Sequence, residues 1–154
     1  MAVVSRYTLA LHILSWLAFR AEKKDEFLPS DRIANSVNTS PVFLRRILGQ
    51  LAKAGLVLVQ HGGTGAGWKL ARKAEEISLL DVYEAVVPTP LFELHHSQPN
   101  PKCLVGKGIQ PALRDIYEES EVAMKQRLAG TSIAELVTSS LAYGSAQAEP
   151  GFEH

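Results

Sequence analysis

The stretch Ser40–Val57, SPVFLRRILGQLAKAGLV, restricts the possible folds of this chain more than any other. Ser40 suits a helix N-cap, because its hydroxyl can accept from the free backbone N–H groups of the first turn. Pro41 falls at the first helical position, where its missing N–H costs nothing. Leu44, Ile47, Leu48 and Leu51 recur at i, i+3, i+4 and i+7, which predicts one buried stripe. The opposite face carries Val42, Arg45, Arg46, Gly49, Gln50 and Lys53, with cations and donors but no carboxylate. Gly55 ends the helix in the manner of a C′ glycine. Taken alone, the segment reads more readily as an ordinary amphipathic surface helix than as a binding helix, and its neighbours decide the question.

Upstream, residues 4–19 predict a helix with two apolar stripes. Tyr7, Leu11, Leu14 and Ala18 form one, and Leu9, Ile13, Trp16 and Leu17 the other. A helix apolar on two sides is buried on two sides. One side would serve its own domain and the other a partner subunit. Residues 20–26, RAEKKDE, read as a solvated loop. Ser30 then caps a short helix, DRIANSV, with Ile33, Ala34 and Val37 inward, and Asn38-Thr39 makes a tight turn before Ser40. Helix, short turn, helix is the helix-turn-helix layout, whose second helix enters the DNA major groove.

Downstream, LVLVQ (56–60) and WKLA (68–71) flank HGGTGAG (61–67). Two strands around a glycine-rich loop predict a β-hairpin, or wing. A phosphate-cradling loop would need to lead from a strand into a helix with its lysine or spaced glycines, and that pattern is absent. Lys69, Arg72 and Lys73 flank the wing, as DNA-backbone contacts or as solvated charges.

Ser78 starts a further capped helix, LLDVYEAVV, which ends before Pro88. Residues 88–108 are rich in proline and glycine and hold His95, His96 and Cys103. From Ile109 or Pro111 a long helix runs to Leu128, about 28 Å in length. Its stripe is Leu113, Ile116, Tyr117, Ser120, Ala123, Met124 and Leu128. A twofold partner would cover such a stripe; packing back on its own domain is the alternative. Ser132 and Glu135 make a capping box for a last short helix, IAELV. The small, polar tail from Ser139 should fray.

Charge adds a second line of argument. Residues 1–75 hold eleven Lys/Arg against five Asp/Glu, and residues 76–154 hold five against eleven. Within 28–73 there are seven basic residues and one acidic, Asp31. A basic half suits a polyanion, although the two halves could equally attract each other. The length of 154 residues suits one compact domain, or a small domain with an oligomerising arm. With no secretory leader and no apolar run of membrane-spanning length, the cytoplasm is the expected location. A single cysteine excludes an intramolecular disulfide. No Ser/His/Asp order, HExxH helix or paired carboxylates point to an enzyme, and Asp31 and Glu75 lie on solvated stretches.

The ordered set of these parts resembles the Rrf-two family of bacterial winged-helix transcription regulators, the group of IscR, NsrR and CymR. The resemblance is carried by SRYTLALHIL, IANSVNTSPVFLRRILGQLAKAGLV, GAGWKLA, ISLLDVYEAV and NPKCLVGKGIQPALRDIY…TSIAELV, across roughly residues 3–138. It implies a dimer whose long helix crosses between subunits and whose two winged units read a palindromic operator. By motif, Ser40, Val42, Phe43 and Arg45 would read DNA, with His61 standing where the family usually has an arginine before glycine. Arg45 replaces an acidic or amide residue of many members, so the base preference should differ. His61 is a weaker cation than arginine near neutral pH, which makes wing contacts weaker or pH-dependent. Cluster-binding members use three cysteines in the loop before the long helix, whereas this loop has Cys103 alone. Iron–sulfur clusters need several thiolates, so no cofactor is expected. His95 and His96 read as exposed loop residues, with a metal shared by one of them and Cys103 as the alternative. Cys103 itself reads as a small buried hydrophobe or as a redox thiol favoured by Lys102 and Lys107.

The expectation is thus a mainly α chain with a small β-hairpin wing. Residues 1–87 form a winged helix-turn-helix DNA-binding domain and 88–108 a loop. Residues 109–138 form the dimerisation helix and a short C-terminal helix, and 139–154 a flexible tail. The expected function is a homodimeric, sequence-specific repressor of transcription, with no membrane contact and an effector that the sequence does not name. Expected DNA contacts are Thr39, Ser40, Pro41, Val42, Phe43, Arg45, Arg46, Gln50, Lys53, His61 and Lys69. The expected dimer interface is Leu113, Ile116, Tyr117, Ser120, Met124 and Leu128, with Cys103 as candidate redox sensor. A winged helix used for protein contact is the rival reading, disfavoured by the two-arginine face.

Overall fold

The computed structural model describes residues 3–147. Helix α1 spans Val3–Ala21, α2 Ser30–Val37 and α3 Pro41–Lys53. Strands β1 (Val57–Gln60) and β2 (Gly67–Leu70) follow, then a 3-10 turn at Ala74–Glu76. Helix α4 is Leu79–Val86, α5 Leu104–Ala129 and α6 Ile133–Gln147.

The core is built from the stripes that periodicity marks. Ala10, Ile13, Leu14, Leu17 and Ala18 of α1 are buried with Ile33, Ala34 and Val37 of α2. Leu44, Ile47, Leu48 and Leu51 of α3 join them, each at 0% exposure. Val82, Tyr83 and Val86 of α4 and Ile133 and Val137 of α6 close the cluster. Burial of a Leu, Ile or Val side chain contributes roughly 1.5–3 kcal/mol, so the four α3 residues hold that helix at a fixed angle. Asn38 takes the left-handed conformation (φ 55°) at the turn between α2 and α3, a backbone state that Asn tolerates better than most residues.

The wing is an antiparallel pair, with Val57 opposite Leu70 and Gln60 opposite Gly67. Leu28, from the loop before α2, adds a third partner. Its N–H donates to the Trp68 carbonyl and its carbonyl accepts from the Trp68 N–H, both at 2.9 Å. Gly67 has φ 151°, and a Cβ there would overlap the Leu28 backbone carbonyl. Glycine is the residue that fits.

Three elements differ from expectation. Ser30 does not cap α2: Pro29 occupies the N-cap position, and Ser30 is the first helical residue. Helix α5 starts at Leu104 rather than near 109, with Pro111 inside it. A local turn supplies the earlier start. The Cys103 N–H donates to the Asn100 carbonyl at 3.1 Å, and Cys103 Sγ accepts the Gly106 N–H at 3.4 Å. The irregular segment therefore ends at Cys103, not at 108. The last helix is not short either, since α6 continues to Gln147 through most of the expected tail; residues 148–154 lie outside the described residues. The expected capping box does form, with Ser132 Oγ accepting the Glu135 N–H at 3.1 Å and the Ser132 N–H donating to Glu135 Oε2 at 2.7 Å.

The long helix contributes no fully buried residue. Its expected stripe is divided. Met124 and Leu128 pack half-buried on the chain's own core. Tyr117 stacks on Phe92 of the preceding loop, with centroids 4.9 Å apart. Leu113 is half-buried, whereas Ser120 is exposed and Ile116 is 56% exposed. Leu104, Val105, Ile109 and Val122 also lie open on α5.

Candidate nucleic-acid interface

Helix α3 begins as its sequence dictates. Ser40, in extended conformation, accepts the Phe43 N–H on its hydroxyl at 3.2 Å, and Pro41 takes the first position. Thr39 is half-buried just before it, its N–H donating to the Ala34 carbonyl at 3.0 Å. The Leu44 N–H donates to the Ser40 carbonyl at 3.0 Å, which leaves the Val42 N–H of the first turn without a partner among the described residues, beside a side chain that is 68% exposed. A capped helix start of this kind carries partial positive charge and suits an anion.

Arg45, Arg46 and Lys53 are all exposed, and among the described residues none of them has a carboxylate partner. The two arginines are not equivalent. Arg45 donates its Nε–H to Ser30 Oγ at 3.3 Å. Arg46 has no such contact. Gly49 leaves the same face open, with nothing near the place where a Cβ would stand.

Other expected contacts sit differently. Phe43 packs half-buried against the core, so its ring serves the domain at least as much as the surface. Gln50 is half-buried, and its Oε1 is buried with no hydrogen-bond partner. Lys69 is engaged within the chain: its Nζ lies 3.2 Å from Asp25 Oδ1 and 4.8 Å from the centre of the Phe27 ring. Arg72 likewise reaches Asp81 at 3.2 Å. His61 stands exposed where β1 enters the wing tip. Gly62, Gly63 and Gly65 there all have positive φ, between 65° and 86°, the conformation that keeps this tip glycine-rich.

Ser30 is the residue that sequence reading missed. Its hydroxyl looked like a helix cap, and nothing in a local pattern links it to a side chain fifteen positions away.

Among the described residues no hydrogen bond or ion pair joins the segment between α4 and α5 to α3. His95 and His96 stack at 5.1 Å, and Gln110 Nε2 donates to the His95 carbonyl at 2.9 Å. Cys103 is exposed, not a buried hydrophobe. Among the described residues no three His, Cys, Asp or Glu side chains stand close enough to hold a metal ion. One thiol and a stacked histidine pair do not match the several thiolates of an iron–sulfur site.

Electrostatics elsewhere is structural. Glu26 joins α1 to α2 through Lys24 (3.1 Å), Arg20 (3.8 Å) and Arg32 (3.9 Å). Its carboxyl is held below the usual range, first by the hydrogen bond from Lys24 and then by these charges. Burial, with a contribution from Tyr83, pushes the Tyr7 hydroxyl up to about 12. Burial and then Glu121 raise Tyr83.

Comparison with known proteins agrees with this arrangement. Residues 3–139 match the family model Rrf2, described as an iron-dependent transcriptional regulator. YwnA of Bacillus subtilis (strain 168), provisionally named an HTH-type transcriptional regulator, is 41% identical over 133 residues. That match covers 86% of this chain and 95% of YwnA. A crystal structure provisionally described as a DNA-binding protein is 38% identical, with a TM-score of 0.68 over 85% of this chain and 97% of that one. The IscR of T. potens, at 18% identity, shares the fold with a TM-score of 0.68 over 98% of this chain and 94% of its own. The exposed capped helix, the wing beside it and the match along nearly the whole chain lead to one conclusion: this chain belongs to the Rrf2 family of winged-helix transcriptional regulators.

Proposed function

We propose that the chain is a homodimeric, sequence-specific DNA-binding repressor, cytoplasmic, that works without an iron–sulfur cluster. The observation that carries this reading is the face of α3. Arg45, Arg46 and Lys53 project from a helix whose other side is locked into the core. The Val42 N–H at its start and the exposed His61 of the wing tip are further candidate contacts. Backbone N–H groups and free cations would fix the protein on phosphates, while a smaller set of side chains reads base edges. The apolar residues left open on α5, Ile109 and Ile116 among them, support pairing of two chains. Two recognition helices would then meet half-sites about one helical turn, or a multiple, apart on a palindromic operator.

The test is DNA affinity as a function of salt, with the full chain and duplexes selected from its own promoter region. Affinity should fall steeply with salt, and Arg46→Ala or Lys53→Ala should each lower the slope by about 1. Equal affinity at low and high salt rejects the reading. Sedimentation should give a dimer that Ile116→Asp splits, and a reporter behind the selected site should be silenced.

A second reading concerns sensing. Cys103 caps the 26-residue α5 and accepts the Gly106 N–H there. Gly106 is required at this turn, since a Cβ would stand 2.8 Å from the Asn100 carbonyl oxygen. If Cys103 is a redox switch, oxidant changes operator affinity in the wild type and not in Cys103→Ser.

A further inference from the structure

We propose that Ser30 is the positioning residue that makes Arg45 the base-reading arginine of α3 and leaves Arg46 to the phosphate backbone. The inference rests on the DNA-binding reading above and assigns roles within it. Ser30 is the first residue of α2, with Pro29 at the N-cap position before it. Its Oγ accepts the Nε–H of Arg45 at 3.3 Å.

The atom that is held matters. A guanidinium carries five N–H donors in one rigid plane. A bond at Nε uses the inner edge and leaves both terminal amino groups free, side by side. Two parallel donors are what the O6 and N7 acceptors of guanine take from an arginine in the major groove. The contact also removes much of the side chain's rotamer freedom before DNA arrives, so less ordering remains to be done on binding. No carboxylate competes for Arg45 among the described residues.

Arg46 lies one residue on, rotated by about 100° around the helix. Among the described residues it has no side-chain partner, so nothing orients its plane. A free, flexible cation suits a phosphate, which attracts charge from many directions. The neighbouring arginines thus receive different tasks from one hydroxyl on the preceding helix.

The experiment is selection of binding sites from a randomised duplex library by the full-length wild type, Arg45→Ala, Ser30→Ala and Ser30→Thr. Thermal unfolding of each variant checks that it is folded. The wild type should select guanine at one position of each half-site. That preference should fall about tenfold in Arg45→Ala and about threefold in Ser30→Ala at the same position. Ser30→Thr, which keeps the hydroxyl, should restore it. Other positions and the salt slope should not change in Ser30→Ala. Unaltered preference in Ser30→Ala, or an equal loss of affinity for every sequence, overturns the role of Ser30 while DNA binding stands. A wild type that selects no site overturns the DNA-binding reading itself, and this assignment with it.

Discussion

Lys69 Nζ lies 3.2 Å from Asp25 Oδ1 and over the ring of Phe27, so the second strand of the wing is tied to the loop between α1 and α2. The sequence placed this lysine among the DNA contacts, yet its charge is already answered within the chain. An exposed ion pair contributes roughly 0.2–1 kcal/mol and the cation over a ring about 0.5–1 kcal/mol. Lys69→Ala should therefore lower stability by about 1 kcal/mol, read by urea unfolding. The salt slope of DNA binding should change less than in Arg46→Ala.

Gly67 meets the backbone of Leu28 where any side chain would begin. Gly67→Ala should push Leu28 away from Trp68 and break the two hydrogen bonds between them. The loss should exceed about 1 kcal/mol, with faster amide exchange at Leu28 and Trp68. An unchanged unfolding midpoint would contradict the close packing described here.

Tyr7 donates its hydroxyl proton to the Leu79 carbonyl at 2.7 Å, which fastens α1 to the start of α4. Its folded-state value, about 12, lies above the ordinary 10.0. The unfolded chain thus loses this proton first. The stabilisation is complete below pH 10 and drains away as pH rises toward 12. Tyr7→Phe should cost about 1 kcal/mol at neutral pH, for one hydrogen bond lost. It should also flatten the alkaline fall of the unfolding midpoint.

Gly49 sits exposed in the middle of α3, with open space where a Cβ would go. Glycine in an exposed helix interior costs about 0.8–1 kcal/mol relative to alanine. Gly49→Ala should raise stability by that increment, read as a higher thermal midpoint. A simultaneous drop in DNA affinity would mark a place where the nucleic-acid backbone comes close.

Much of the DNA-facing unit is legible in the residues. The i, i+3, i+4, i+7 repeat of Leu44, Ile47, Leu48 and Leu51 describes a face that the structure buries completely. Ser40, Pro41 and Gly55 mark the ends of that helix, because caps are local chemistry. Residues at the edge of the stripe were harder to place. Phe43 and Gln50 lie beside the buried leucines, and small rotations of α3 decide how far they turn inward. The start of α5 was hidden because Gly106, Gly108 and Pro111 all have low helix propensity; the turn at Asn100–Cys103 overrides them. The length of α6 was hidden by its hydroxyls. Thr138 and Ser140 donate back to the Ala134 and Leu136 carbonyls, at 3.2 and 2.7 Å, and so remain within the helix. The Ser30–Arg45 contact spans two elements, and no local rule reaches across that distance.

The absence of any fully buried side chain from α5 divides the molecule into two tiers of cooperativity. Amides of α1 and α3 can open only when the shared core opens, so their exchange with solvent reports global unfolding. The first turns of α5, with Leu104, Val105 and Ile109 uncovered, have no such anchor within the chain, and they open by local fraying at far lower free energy. Whatever covers that end of the helix therefore adds protection there first, and a hydrogen-exchange map records its arrival before the rest of the fold responds.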